Sequence, residues 1–195
     1  MQLLKEQIQL VNQDGIVTLY KGHFDELSSP EIIKNLEEIE FSQNKITMYG
    51  KEHLVPRLEA WFGESGYTYT GVSLKPQKSP KWLDDIQSNI SKITSTNFNS
   101  VLINKYRNGS DYVSWHQDNE KELGVNPIIA SLSFGGTRKF KLRHIENKDL
   151  KVDIMLEHGD LLIMGAAVQT NWQHELPKTK VHNETRFNLT FRYLV

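Results

Sequence analysis

The strongest restriction on the fold comes from a change of hydrophobic period at Ser100. From there to the C-terminus, apolar and polar residues alternate in short runs, and turn-forming pairs such as Asn108-Gly109 and Gly135-Gly136 separate the runs. A period of two predicts β-strands, and such turns indicate antiparallel neighbours. The pattern predicts an antiparallel sandwich or barrel, and a jelly roll fits best. About eight runs follow this pattern: SVLINKYR, YVSWHQ, PIIASLSF, RKFKLRHI, KVDIML, DLLIM, NWQHEL and RFNLTFRYLV.

Two helical patterns precede this β region. Ser29-Pro30 stands before apolar residues at helical spacing that end at Ile39, and Pro80 opens a second such series that ends at Ile93. A proline at the start and a single apolar face are typical of amphipathic helices. We expect both helices to pack on the outside of a sheet, which makes the fold mainly β with flanking α-helices.

The composition limits the size of the protein and its partners. A chain of 195 residues with 38% hydrophobic residues fits a single domain, residues 1–195, with a sizeable core. The net charge of -1 provides no general attraction to nucleic acid, so such binding needs a local basic patch. The N-terminus lacks a secretory signal, and no apolar run is long enough to span a membrane. We therefore expect a cytoplasmic protein without membrane contact, acting as a monomer.

The absence of cysteine means that a metal ion must be bound by histidine and carboxylate side chains. His116 and Asp118 lie two residues apart at a predicted strand, where alternate residues share a face. With His174 on another predicted strand, they form the two-imidazole, one-carboxylate set that binds non-haem Fe(II) and leaves positions open for substrate and dioxygen. Zinc accepts the same ligands, and the first pair alone also fits a solvated strand end with a His–Asp hydrogen bond.

The last predicted strand places two arginines on one face. In RFNLTFRYLV, three apolar residues alternate with a polar series that begins at Arg186 and ends at Arg192. Two arginines on an inward face are costly unless they bind anions, so we expect a dicarboxylate ligand there. Asn104 and Tyr106 share a face of another strand and offer an amide and a phenol as neutral donors. The alternatives are an edge strand with a solvated polar face and ordinary cross-strand contacts.

Six motifs together resemble the AlkB-type Fe(II)/2-oxoglutarate-dependent dioxygenases, in particular the branch that repairs alkylated nucleic-acid bases. The resemblance extends from about Tyr49 to the C-terminus. It implies a double-stranded β-helix catalytic core over about residues 100–195, on which about residues 1–99 pack as an N-terminal extension and nucleotide-recognition lid. The motifs are NKY at 104–106, HQD at 116–118, PIIASLSFG at 127–135, HGDLLIM at 158–164, WQH at 172–174 and RFNLTFR at 186–192.

The resemblance also implies the cofactors, which are Fe(II), 2-oxoglutarate as cosubstrate and O2. The C1 carboxylate and keto oxygen of 2-oxoglutarate would chelate the metal, with dioxygen at the remaining position. Arg186 and Tyr106 would bind the distal carboxylate, while Arg192 would lie near Asp118. The implied metal ligands are His116, Asp118 and His174, and the implied ligands of 2-oxoglutarate are Asn104, Tyr106, Arg186 and Arg192.

The activity that the resemblance implies is oxidative demethylation of bases such as 1-methyladenine and 3-methylcytosine in DNA, with RNA as a further substrate, and release of formaldehyde. A base inside a duplex is out of reach, so the substrate must be single-stranded or have its base flipped out. Gly71 departs from duplex-preferring relatives, which carry another aromatic residue there. The implied substrate contacts are Tyr49 as a wedge at a hairpin tip or else an ordinary turn residue, Arg57 as a support of the lid, Tyr69 as a stacking surface and Glu120 as an acceptor for an exocyclic nitrogen.

Two basic clusters are candidates for phosphate contacts, although solvated strand and loop faces have the same composition. We expect His158 to cap or pack at the HGD turn, and His144 and His182 to lie on the surface. The clusters are Lys75, Lys78 and Lys81 beside the lid, and Lys139, Lys141 and Arg143 on one strand face.

Two rival functions fit parts of the same pattern. One is a dioxygenase of the same chemistry that acts on a protein side chain, a lipid or a small molecule. The other is a β-sandwich binding module whose His/Asp cluster holds a structural zinc ion. Tyr49, Tyr69 and Glu120 would have no base to bind in the first case, and a zinc site would give no absorption band with 2-oxoglutarate in the second.

Overall fold

A computed structural model describes residues 6–24, 30–48, 50–64, 66–69, 72–181 and 183–195 of the chain. Within these residues the secondary structure is mainly strand. The α-helices are Pro30–Glu37 (α1), Lys81–Thr94 (α2) and Val168–Asn171 (α3), and Lys121–Leu123 forms a 3-10 helix. The strands are Gln7–Val11 (β1), Ile16–Tyr20 (β2), Lys45–Met48 (β3), Lys51–Leu54 (β4), Leu58–Gly63 (β5), Tyr67–Tyr69 (β6), Val72–Leu74 (β7), Pro76–Gln77 (β8), Ser100–Tyr106 (β9), Val113–His116 (β10), Ile129–Gly135 (β11), Arg138–His144 (β12), Lys151–Leu156 (β13), Leu161–Gly165 (β14), Trp172–Leu176 (β15) and Arg186–Arg192 (β16).

Two sheets form the framework. The large sheet has the strand order β1-β2-β14-β11-β16-β9-β5-β8, and the small sheet has the order β10-β15-β12-β13. All neighbours are antiparallel except β5 and β8. Apolar residues of both sheets, among them Leu142 and Leu162, pack in one buried cluster between them. Each of the eight runs predicted after Ser100 contains one strand, and the predicted mainly β jelly roll with outer helices is confirmed.

Strand β16 shows why the two faces of the large sheet differ. All seven of its residues are buried, because β11 and β9 flank it and both of its faces are covered. Phe187, Leu189 and Phe191 belong to the main apolar cluster. The alternate residues, from Arg186 to Arg192, face the space between the sheets. The period of two therefore separates an apolar face from a polar one along a single strand.

The two longer helices cover the apolar face of the large sheet. Leu36 of α1 and Leu83 and Ile90 of α2 lie in the same cluster as Phe187 and Leu189. This placement confirms the predicted packing of both helices on the outside of the sheet. Ser29, the residue before α1, lies outside the described residues.

The N-terminal part of the chain also contributes to the large sheet. Strands β1 and β2 extend one side of the sheet, and β5 pairs with β9 near the other. These strands were not predicted, and β5 shows the reason. Its sequence LEAWFG is buried on both faces, so it lacks the alternation that identifies a strand with one solvated face. None of the described helices combines the length and apolar character needed to cross a membrane.

Candidate active site

A cavity of about 450 Å³ lies between the two sheets. Strands β9 and β16 of the large sheet, β10 and β15 of the small sheet, and the segment before β5 supply most of its lining. Tyr49 lies outside the described residues, and only the backbone of Tyr69 is described, in β6. The other nine predicted site residues all line this cavity: Arg57, Asn104, Tyr106, His116, Asp118, Glu120, His174, Arg186 and Arg192.

The structure brings His116, Asp118 and His174 together at one end of the cavity. His116 and His174 are paired positions of neighbouring strands, and Asp118 follows just after the end of β10. One ligand atom from each residue lies within 4.8 Å of the other two. The Nε2 atom of His116 is 3.6 Å from Oδ1 of Asp118. These three donors are close enough to share one metal ion.

Asp118 is held as a carboxylate. Burial acts to raise its pKa, but the positive charge of Arg192 and the hydrogen bonds that Arg192 donates outweigh burial and hold the pKa well below the usual range for an aspartate. Nη2 of Arg192 donates to Oδ2 of Asp118 at 2.6 Å. The backbone N–H of Asp118 donates to Oε1 of Gln169 at 3.0 Å. An ion pair and a backbone hydrogen bond thus fix the orientation of this side chain.

Both histidines present an acceptor nitrogen. Burial lowers the pKa of His174 to about 3, so its imidazole is neutral near pH 7. Its Nδ1 atom is buried and makes no hydrogen bond to the described residues. His116 places Nδ1 at 2.8 Å from the carbonyl oxygen of Ser114, which makes Nδ1 the protonated nitrogen and leaves the lone pair on Nε2. Each imidazole can therefore offer one lone pair to a metal ion.

Arg186 has the opposite requirement, because it is a buried cation that needs an anionic partner. The residue is 1% exposed, and its Nη2 donates to Oγ of Ser133 and Oδ1 of Asn188, both at 2.9 Å. Burial lowers the pKa of Arg186 to about 10, so it remains charged near pH 7. Among the described residues no carboxylate forms an ion pair with it, and its Nε has no hydrogen-bond partner. A buried guanidinium in this state fits an anionic ligand.

Tyr106 and Asn104 supply neutral groups between these two ends. Burial raises the pKa of Tyr106, so its phenol keeps its proton and can donate. The guanidinium of Arg186 lies 5.5 Å from the centre of the Tyr106 ring. Oδ1 of Asn104 accepts a hydrogen bond from Nε of Arg57 at 3.0 Å, and Nη2 of Arg57 is 2.8 Å from Oε1 of the buried Glu59. Arg57 therefore directly contacts Asn104, a residue that is predicted to bind 2-oxoglutarate.

Comparison with known proteins now decides the family. The model of the "2OG-Fe(II) oxygenase superfamily" matches residues 17–192. The chain belongs to the 2OG-Fe(II) oxygenase superfamily. Fe(II), 2-oxoglutarate and O2 are therefore its cofactors, and an iron-dependent oxygenase is favoured over the zinc-binding module.

Two relatives in this oxygenase superfamily confirm the resemblance to AlkB-type enzymes. The human alpha-ketoglutarate-dependent dioxygenase alkB homolog 3 is 42% identical over 188 residues, which cover 90% of this chain and 65% of that protein. The human DNA oxidative demethylase ALKBH2 is 36% identical over 198 residues, which cover 95% of this chain and 76% of that protein. The chain thus spans 65% of the length of the alkB homolog 3 protein.

A similar solved structure supports the fold alone. The structure of OsALKBH1 superposes with a TM-score of 0.64 at 18% sequence identity and covers 90% of this chain and 97% of that one. The donors in the cavity also fit the cofactors of the superfamily. Two neutral imidazoles and a carboxylate suit Fe(II), and a buried arginine without a carboxylate suits the distal carboxylate of 2-oxoglutarate. Which residues bind each cofactor stays a prediction.

Several residues of this oxygenase site were not identified from the sequence. Gln169 lies in the four-residue helix α3, and no local pattern marks it as a contact of Asp118. Ser133 contacts Arg186 from a strand that the sequence predicted only as core. Glu59 did carry a signal, since an acidic residue in the apolar run LEAWFG is expected to have a buried partner.

The sequence predicts a place for three of the five other histidines. The prediction that His144 lies on the surface was wrong, because β12 turns this residue inward together with Phe140 and Leu142. Its Nδ1 accepts hydrogen bonds from backbone N–H groups of the following turn. From the HGD turn His158 packs against the ring of Phe134, as expected, and its Nδ1 accepts from the N–H of Gly135 at the end of β11. His182 lies outside the described residues.

Proposed function

We propose that the chain demethylates N-alkylated bases of nucleic acids, with 1-methyladenine and 3-methylcytosine in DNA as substrates and RNA as a further one. The observation that carries this proposal is the shared cavity, in which the His116, Asp118 and His174 group and the buried Arg186 occupy one space. The human relative ALKBH2 is named a DNA oxidative demethylase, which supports the choice of substrate.

In this proposal His116, Asp118 and His174 bind the ferrous ion. When bound, the ion supplies the dioxygen chemistry, in which decarboxylation of 2-oxoglutarate to succinate and CO2 accompanies insertion of one oxygen atom into a substrate C–H bond. Arg192 keeps Asp118 ionised and fixed, because it donates two hydrogen bonds to one oxygen of that carboxylate. The other oxygen of Asp118 stays on the side of His116.

The large sheet binds the cosubstrate in this proposal. Arg186 neutralises the distal carboxylate, and the protonated phenol of Tyr106 donates to the same group. Asn104 provides a further neutral donor. Binding of the dianion removes the cost of leaving Arg186 buried without an opposite charge.

The substrate base enters the remaining part of the cavity, where Glu120 would accept from its exocyclic nitrogen and Arg57 would support the lid. Tyr49 and Tyr69 stay predicted contacts. Oxygen insertion converts the N-methyl group to N-hydroxymethyl. Its C–N bond then breaks, the ring nitrogen takes the electron pair, the hydroxyl proton leaves, and formaldehyde is released. The base must be single-stranded or flipped out to reach this depth.

An outer face of the small sheet is suited to the nucleic-acid backbone. The guanidinium of Arg143 stacks 4.1 Å from the ring centre of Trp115, and its hydrogen bonds go to the neutral Oε1 of Gln173. Trp115 also lines the cavity, so this face adjoins the cavity. Lys139 and Lys141 instead form ion pairs with carboxylates. We therefore propose Arg143 as the phosphate contact of this cluster.

The direct test is incubation with oligonucleotides that contain a single 1-methyladenine or 3-methylcytosine, in DNA and RNA, as single strands and duplexes. We expect loss of one methylene mass unit and release of formaldehyde only when Fe(II) and 2-oxoglutarate are both present. The D118A variant serves as the inactive control. If the parent protein decarboxylates 2-oxoglutarate but leaves all these oligonucleotides unchanged, the substrate class is wrong and a protein, lipid or small-molecule substrate takes its place.

The expectations of a monomer and of a cytoplasmic location stay predictions. Light scattering coupled to size-exclusion chromatography measures the first directly. A mass corresponding to the 22.6 kDa chain is the expected result.

A further inference from the structure

A row of polar side chains crosses four strands of the large sheet. Glu59 of β5 pairs with Asn104 of β9, Asn104 pairs with Asn188 of β16, and Asn188 pairs with Ser133 of β11. Because paired positions of adjacent strands point to the same face, these four side chains lie side by side. Arg186 contacts the end of the row formed by Asn188 and Ser133.

The other end of the row is the buried carboxylate of Glu59, which contacts both Arg57 and Asn44. Glu59 is 1% exposed, and its Oε1 is 2.8 Å from Nη2 of Arg57. Its Oε2 accepts a hydrogen bond from Nδ2 of Asn44 at 2.9 Å. Asn44 directly precedes β3, the first strand of the β3–β4 hairpin. One carboxylate therefore holds both Arg57 and the base of the hairpin that leads to Tyr49.

The position of Arg57 determines the orientation of the Asn104 amide. Nε of Arg57 donates to Oδ1 of Asn104 at 3.0 Å, so the amide oxygen is directed toward the guanidinium. The amide is planar, which places its NH2 group on the opposite side. That group makes no hydrogen bond to the described residues, and Asn104 lines the cavity. It is therefore available as a donor to a ligand carboxylate.

We propose that Glu59 is a positioning residue, which holds Arg57 so that the amide of Asn104 presents its N–H groups, and not its oxygen, to 2-oxoglutarate. This inference rests on the proposed function, in which that cosubstrate occupies the cavity. Without Glu59, Arg57 would lose its 2.8 Å ion pair with that carboxylate, so its guanidinium could shift from Oδ1 of Asn104 and the Asn104 amide could rotate. A rotated amide would place an oxygen against a carboxylate oxygen, which is repulsive.

The same contacts connect two predicted binding regions. Asn44 joins Glu59 to the hairpin predicted to contact the nucleic acid, and Asn104 belongs to the pocket predicted for 2-oxoglutarate. The carboxylate of Glu59 therefore fixes the hairpin base relative to the cosubstrate. Loss of Asn44 alone should disturb only the hairpin side of this arrangement.

The test measures 2-oxoglutarate binding by calorimetry with Mn(II)-loaded protein, which requires no turnover. E59Q keeps the size of the side chain, but its NH2 group must face a donor of either Arg57 or Asn44. Loss of one hydrogen bond to a charged ligand weakens binding by roughly ten- to hundredfold, and we expect an effect of that size for E59Q and for N104A. The double variant E59Q/N104A should bind 2-oxoglutarate less than threefold more weakly than N104A alone, because the two changes remove the same contact.

Two further variants separate positioning from folding. R57K retains the charge but has a single nitrogen, which cannot contact Glu59 and Asn104 as the guanidinium does, so it should weaken 2-oxoglutarate binding as E59Q does. The matched control is E52Q, since Glu52 is an exposed residue of the same hairpin that pairs with Lys45, and this variant should bind like the parent. Affinity for Mn(II) alone should stay unchanged in every variant.

Parental 2-oxoglutarate affinity in E59Q or R57K, or fully additive effects in the double variant, would overturn the inference. Those results would leave the proposed function intact as long as the parent binds 2-oxoglutarate and demethylates the oligonucleotides. If the parent itself does not bind 2-oxoglutarate, the proposed function fails first.

Discussion

Arg186 and Asp118 illustrate how buried charges in one cavity indicate different ligands. Asp118 is neutralised by Arg192 on one oxygen and keeps the other beside two imidazole rings. Among the described residues, Arg186 donates only to neutral oxygens of Ser133 and Asn188. The first arrangement favours a cation with open coordination positions, and the second favours an anion. The two residues therefore indicate the places of metal and dicarboxylate.

Replacement of Arg186 tests the anion site. R186M should raise the KM for 2-oxoglutarate by at least about 30-fold, because truncating one partner of a buried charge pair costs roughly 2–5 kcal/mol. R186K, which keeps the charge, should recover part of the loss. Steady-state kinetics with 2-oxoglutarate as the varied substrate measures both. An unchanged KM in R186M would show that the carboxylate binds elsewhere.

Gln169 offers a test of the metal site that leaves all three predicted metal-binding residues unchanged. Its Oε1 accepts from the backbone N–H of Asp118, so Q169L should release this backbone and weaken Mn(II) binding by roughly 10- to 100-fold. The control is Q173L, since Gln173 contacts Arg143 on the outer face instead. Calorimetric titration with Mn(II) compares the metal affinities of the two variants. Equal affinities would mean that Gln169 does not position Asp118.

The elements differ in how far the sequence could predict them. Strands β9 to β16 were predictable because most carry an alternating pattern, as β16 shows with Phe187, Leu189 and Phe191 on one face. Strand β14, with the sequence LLIMG, does not alternate, but the HGD turn marks its start. Strand β5 was not predictable, because burial on both faces removes the alternation. Asp118 was predicted on the same strand face as His116, yet it lies beyond the end of β10 and reaches the cavity from a loop.

Contacts between distant elements explain the rest of the site. The pairing of His116 with His174 depends on the register of β10 and β15, which a bulge changes within the strand pair. Local spacing carries no information on that register. The contact from Gln169 to Asp118 likewise depends on where the short helix α3 lies. Donor types were therefore predictable from the sequence, whereas the residues that orient them were not.

Helix α2 provides a test of local backbone strain. The C-cap residue that follows it is Ser95, whose φ of 52° lies in the left-handed region that favours glycine. S95G should raise the free energy of unfolding by about 0.5–1 kcal/mol, since glycine adopts this conformation without a Cβ clash. S91G, inside the same helix, should lower it by roughly 0.5 kcal/mol, because serine lies about midway between alanine and glycine in helix propensity. Urea denaturation measures both, and a destabilised S95G would contradict this explanation.

At the scale of the whole molecule, the cavity joins the two sheets, so its ligands should stabilise the entire fold. Mn(II) with a hundredfold excess of 2-oxoglutarate over its Kd should raise Tm by roughly 5 °C or more. A chelator should reverse the shift, and H174A should show little of it. Thermal unfolding followed by circular dichroism measures the effect. A shift of equal size in H174A would place the metal outside this cavity.

The most direct test of the central claim, that one cavity binds Fe(II) and 2-oxoglutarate together, is an anaerobic absorption titration. We predict a metal-to-ligand band that forms only when the parent protein has both Fe(II) and 2-oxoglutarate. R186M should need far more 2-oxoglutarate to form it, and H174A should not form it. An unchanged band in H174A, or no band in the parent, would contradict this account.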